Sequence, residues 1–177
     1  TVADIRSRGT FDILMLDDSD RLRIVSADGK FSWRSSARYG GSSNYYDTLR
    51  KKEDAFRPQE SPSYRVYIPG RILTRDLDGD GIPEVVINRN EFLTGTFLKR
   101  TRAFDSGEVY DLVWDEDTLT TNWKTREIKG YIADYQVRDA DNDGEVELVI
   151  ATVAPKEDVS GHLFPKSKSN ILFLKLY

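Results

Sequence analysis

Twice in 177 residues the chain sets three aspartates at alternate positions, adds a glycine, and runs into an apolar, β-branched stretch. The copies are DLDGDGIPEVVI, Asp76 to Ile87, and DADNDGEVELVI, Asp139 to Ile150. Carboxylates spaced in this way on a tight loop converge their oxygens on one point, where they repel each other unless a cation sits among them. The chain must therefore build one kind of loop twice and continue each copy as a strand.

The remaining pattern is also strand-like. TFDILML (Thr10 to Leu16), RLRIVS (Arg21 to Ser26) and KFSWRS (Lys30 to Ser35) are short β-rich runs, and Asp28-Gly29 is a hairpin signal. EVYDLVW (Glu108 to Trp114) and LTTNWKT (Leu119 to Thr125) repeat the pattern, and SNILFLKLY closes the chain as a further strand. No stretch keeps a 3.6-residue apolar period over a window of about 11 residues. YYDTLRKKEDAF, Tyr45 to Phe56, is the one short helix expected. LDDSDR and WDEDTL lack the glycine of the aspartate loops, so they are expected to be hairpin turns.

Three features recur in order: a Trp-bearing strand (Trp33, Trp123), an I-x-G (ending at Gly70 and Gly130), and the aspartate loop with its strand. A unit of about 60 residues holding four antiparallel strands reads as a β-propeller blade. The expectation is an all-β chain forming one partial propeller domain over residues 1–177, with three approximate blades at 1–70, 71–130 and 131–177. The recurrence of Trp33 and Trp123 points to core packing. The first unit is expected to begin just before its second strand, with no aspartate loop ahead of it. Closed propellers need about four or more blades, so the chain is expected to be the last portion of a larger one or to associate through open blade edges.

Ca²⁺ suits the loops because it accepts about 6–8 oxygen ligands in flexible geometry. Positions 1, 3 and 5 are Asp76, Asp78 and Asp80 in the first loop and Asp139, Asp141 and Asp143 in the second. Gly81 and Gly144 at position 6 permit the bend that turns the position 7 carbonyls, of Ile82 and Glu145, inward. An EF-hand is excluded: its position 12 requires glutamate, where this chain has Ile87 and Ile150, and it requires flanking helices. The acidic residue lies at position 9 instead, Glu84 and Glu147.

That arrangement resembles the FG-GAP or VCBS repeats of integrin-like calcium-binding β-propellers. WRSSARYGGSS, YIPGRILTRDLDGDG and GYIADYQVRDADNDG look like bacterial VCBS-repeat proteins in particular. The resemblance covers the chain well from about Tyr64 onward and the first 60 residues more loosely. It implies two Ca²⁺ sites in loops joining the first two strands of a blade, with Glu84 and Glu147 as the last side-chain ligands, although the family more often has Asp there. Family members commonly have seven blades, and their calcium loops brace the blade on the face away from the partner.

Composition narrows the function. A net charge of −4 and a pI near 5.2 lack the basic footprint of a nucleic-acid binder. No apolar run approaches the roughly 20 residues of a membrane helix. The absence of cysteine removes disulfides, thiol catalysis and cysteine-zinc sites. His162, the one histidine, has Ser160 nearby but no third triad member in view, so a structural role is expected. The expectation is a non-catalytic module that binds a protein or glycan; the alternative is part of a polysaccharide lyase or glycosidase. SARYGGSSNYYD, with Tyr39, Asn44, Tyr45 and Tyr46, mixes rigid aromatic area with adaptable polar groups and is the expected partner surface. Calcium at millimolar levels points to a periplasmic, cell-surface or secreted location.

Overall fold

The computed structural model describes residues 1–47, 65–92, 102–155 and 167–176. Among them there are strands and turns and no helix. Strands β1 (Val2–Ala3), β2 (Asp12–Leu16), β3 (Arg21–Ser26) and β4 (Ser32–Arg38) form a sheet in chain order. β5 (Tyr45–Asp47) and β6 (Arg65–Tyr67) form a separate pair. β7 (Leu73–Arg75), β8 (Glu84–Phe92), β9 (Phe104–Asp115) and β10 (Thr118–Lys124) make the middle sheet, with β11 (Ile128–Lys129) also on β9. β12 (Tyr131–Arg138), β13 (Glu147–Pro155) and β14 (Ser167–Lys175) make the last. Among the described residues every pairing between these strands is antiparallel and no sheet closes on itself; a single parallel bridge links Gly40 to Arg89.

The middle sheet is covered on both faces. Leu14, Leu22 and Ile24 of the first sheet pack against Val85, Ile87 and Leu112. On the other side Val86 and Val109 pack against Ile132, Tyr135, Leu148 and Ile150 of the last sheet. This explains why β8 begins Glu-Val-Val-Ile rather than alternating apolar with polar: successive side chains face opposite sheets, and both sides are dry. Trp33 packs at the edge of the first core, edge-to-face on Trp114 at 5.8 Å, and Trp123 packs at the edge of the second.

Two buried asparagines of β8 tie the layers together where apolar side chains could not. Asn90 donates through Nδ2 to the carbonyls of Gly41 (2.8 Å) and Ile132 (3.0 Å), and its Oδ1 accepts the Ile132 N–H at 2.9 Å. Asn88 donates to the Gly40 carbonyl, and its own carbonyl accepts the Gly40 N–H. Gly40 has φ +71°, a left-handed backbone that favours glycine, and a Cβ there would also lie 2.6 Å from Leu16 Cδ1.

The hairpin turns expected at Asp17–Asp20, Asp28-Gly29 and Glu116-Asp117 are present. Two expectations are corrected. Tyr45–Asp47 is strand, not the start of a helix, because Tyr45 and Tyr46 pair in register with Tyr67 and Val66; the rest of that segment lies outside the described residues. The first sheet also does not begin at its second strand: Val2–Ala3 pairs with Asp12 and Ile13, and a loop joins them. His162 and Ser160 lie outside the described residues.

Asn90→Ala removes three hydrogen bonds that tie β8 to Gly41, in the segment after β4, and to Ile132 of the last sheet, and should cost about 3 kcal/mol. Urea unfolding measures this; a loss below about 1 kcal/mol would mean that water replaces the side chain.

Candidate metal centre

Each aspartate loop leaves one strand and enters the next, which places its carboxylates at the mouth of a buried strand. In the first loop Asp76 follows β7 and Glu84 opens β8. One oxygen from each of Asp76, Asp78, Asp80 and Glu84 lies within 4.8 Å of the others. The loop's own backbone holds them. Gly79 and Gly81 donate N–H bonds to Asp76 at 2.7 and 3.0 Å, Asp80 donates to Asp78 at 3.0 Å, and Ile82 donates to Asp80 at 2.7 Å. Gly81 has φ +90°, the left-handed bend for which glycine was expected. Glu84 is buried and accepts the Leu77 N–H at 2.5 Å. Burial pushes its pKa up, the Leu77 bond opposes this, and the charges of Asp78 and Asp76 add to the rise.

The second loop gathers Asp139, Asp141 and Glu147 within the same 4.8 Å. Gly144 donates to Asp139 (3.1 Å), Asp143 to Asp141 (3.2 Å), Glu145 to Asp143 (2.8 Å) and Ala140 to Glu147 (2.9 Å). Glu147 Oε1 and Asp139 Oδ1 are buried with no hydrogen-bond partner. A buried carboxylate oxygen without a partner carries a desolvation cost that a bound cation removes. Both acidic groups could hold a metal ion.

The two loops differ at position 5. Asp80 joins its cluster, whereas Asp143 turns to Lys175, whose Nζ lies 3.0 Å away and also 2.8 Å from Glu145. The register of β13 with β14 sets Lys175 opposite Glu147, at the loop's mouth. Glu145 and Asp143 between them hold the Lys175 pKa above its usual value. Ile82 and Glu145 occupy the position 7 sites and each donates its N–H to the preceding aspartate.

The residues expected to meet a partner are dispersed. Tyr39 is half buried, edge-to-face on Tyr110 at 5.6 Å against the first core. Asn44 is exposed, and its carbonyl accepts the Ile68 N–H. Tyr45 stacks edge-on with Tyr67 (5.7 Å) beneath the Arg65 guanidinium (4.3 Å), and Tyr46 is exposed.

Strand register adds a residue that the motif could not reveal. Asp111 of β9 is fully buried opposite Val86, with one oxygen on Asn122 at 3.0 Å and the other unpartnered. Burial pushes its pKa up to about 6, the Asn122 bond opposes, and the charges of Glu84 and Asp78 add to the rise.

Comparison with protein-family descriptions, curated proteins and solved structures finds no match in any of the three.

Asp111 supplies a pH test in the ion-free chain. Its native pKa lies above the unfolded value of about 3.9, so the native state holds the proton more tightly. The stabilisation is complete below about pH 4 and is lost as pH rises through about 6, leaving a penalty on the order of 2–3 kcal/mol at neutral pH. In EDTA at pH 7.5, Asp111→Asn should therefore unfold at higher temperature than wild type, with the gain shrinking toward pH 4. No gain at neutral pH would contradict the assignment.

Proposed function

We propose that this chain is a calcium-stabilised module of the FG-GAP/VCBS propeller type, with a non-catalytic role in binding or assembly. The observation that carries the reading is the pair of carboxylate clusters at the mouths of β8 and β13, with unpartnered buried oxygens on Asp139 and Glu147. Asp76, Asp78, Asp80 and Glu84 would hold one ion, and Asp139, Asp141 and Glu147 a second. Each ion would supply electrostatic closure of the turn between two strands. Calcium suits these all-oxygen sets, whose exposed outer aspartates leave room for water ligands, better than magnesium with its strict octahedral demand. A calcium dependence in the extracellular concentration range favours a periplasmic, cell-surface or secreted location.

The blade reading is supported by the direction of the stack. The residue after the position 9 carboxylate, Val85, faces the preceding sheet, and the next, Val86, faces the following one. The first sheet carries Ile13 at the place of Val85, and Ile13 and Met15 are exposed on its outer face. The last sheet exposes Ile171 and Phe173 on its outer face, 65% and 60% accessible. Each outer face thus offers the apolar half of an interface that the middle sheet makes twice, which favours assembly with further sheets of the same kind. The exposed Tyr45–Tyr46 strand is the proposed contact for a protein or glycan.

Thermal unfolding in EDTA, in excess Mg²⁺ and across a Ca²⁺ titration tests the ion. At 100-fold over Kd each site should add about 2.7 kcal/mol of stability. Asp78→Ala and Asp141→Ala should each remove about half of the calcium-induced gain. An equal response to Mg²⁺, or none to Ca²⁺, would contradict the proposal.

A further inference from the structure

The loop between β1 and β2 has the sequence Asp4-Ile-Arg-Ser-Arg-Gly-Thr-Phe-Asp12, which carries no alternating aspartates. Its backbone nevertheless shares four features with the two metal-type loops, at positions 1, 4, 6 and 9. Asp4 stands at position 1, and one of its oxygens accepts the N–H of Gly9 at position 6 (2.7 Å), as Asp76 does from Gly81 and Asp139 from Gly144. Position 4 is left-handed in all three, with φ +50° at Ser7, +82° at Gly79 and +63° at Asn142. So is position 6, at +71°, +90° and +92°. Position 9 is a buried carboxylate at the first residue of the following strand each time: Asp12, Glu84 and Glu147.

The loops differ in what neutralises that carboxylate. In the first, position 3 is Arg6, whose guanidinium grips Asp12 through Nε–Oδ2 at 2.8 Å and Nη2–Oδ1 at 2.5 Å. The two side chains are 3% and 0% exposed. The guanidinium also lies over the Phe31 ring, 3.8 Å from its centre, which fixes it from the other side. A planar, permanently charged fork satisfies both oxygens of a buried carboxylate at once.

We propose that Arg6 is a built-in cation, standing in a third loop of the same skeleton where the other two take a metal ion, so that the first sheet closes without metal. Its comparison with the Asp76 and Asp139 loops rests on the metal reading above; its pairing with Asp12 does not. Withdrawal of calcium should then loosen the β7–β8 and β12–β13 turns and leave β1–β2 intact. Ion dependence is thus confined to two of three equivalent positions.

Two sets of variants of the full chain test this. Arg6→Met keeps an apolar stem over Phe31 and leaves the Asp12 charge buried alone, while adding Asp12→Asn removes that charge. In EDTA the single variant should show a clear fall in Tm, with more than half recovered in the pair, and calcium should not change that pattern. Arg6→Asp combined with Arg8→Asp restores the alternate carboxylates; its Tm should be low in EDTA and climb with calcium, and calorimetry should count three bound ions per chain against two for wild type. An unchanged Tm for Arg6→Met in EDTA overturns the proposal. So does a stoichiometry that stays at two in a folded acidic variant. Should wild type bind no calcium while the Arg6→Met loss and its rescue by Asp12→Asn persist, the metal reading fails and the Arg6–Asp12 lock stands.

Discussion

A carboxylate buried at the first residue of a strand is unfavourable unless positive charge meets it, and this chain places one there three times. Asp12, Glu84 and Glu147 open β2, β8 and β13, strands that contribute Leu14, Val85, Val86, Ile87, Leu148 and Ile150 to the two apolar cores. Each preceding loop bends through two left-handed residues and points backbone N–H groups at its own side chains. The Leu77 and Ala140 N–H groups meet part of the charge of Glu84 and Glu147; Arg6 meets that of Asp12. The exposed aspartates of the other two make no sense as neutralisers of Glu84 and Glu147, since they add negative charge, and that is the physical argument for an ion.

Packing turns this local problem into a property of the whole stack. β8 is covered on both faces, and Asn90 hydrogen-bonds to Gly41, after the first sheet, and to Ile132 of the last. A disturbance at Glu84 thus starts at the head of the strand on which both cores rest. Asp111, one strand away, resists ionisation because it is buried, and the charges of Glu84 and Asp78 add to this. Lys175 softens the charge of the Asp139 loop from outside, but it is more than half exposed and screened by water, whereas Arg6 is enclosed. The three loops therefore form a graded series: protein cation enclosed, protein cation peripheral, and carboxylates alone.

Much of this was legible in the sequence because it is local. Alternating aspartates, a glycine and an apolar run occupy twelve consecutive positions, and Asp-Gly or Glu-Asp turns mark the hairpins within a residue or two. The first loop escaped because the motif is recognised by the residues that repel, and Arg6 and Arg8 replace them; the surviving signal was Asp, Gly and Asp at positions 1, 6 and 9. Asp111 and Lys175 escaped because strand register, not spacing along the chain, brings them to the loops. Tyr45 and Tyr46 were read with the charged residues that follow them, although two tyrosines in succession favour a strand once a partner strand is present.

Amide hydrogen exchange at Gly9, Gly81 and Gly144, compared between EDTA and calcium, tests most directly whether buried charge at the strand mouth is met by protein in one loop and by an ion in the others. All three amides donate to the position 1 aspartate of their loop. The account predicts that calcium slows exchange at Gly81 and Gly144 and leaves Gly9 unchanged. Equal slowing at all three, or no slowing at any, would contradict it.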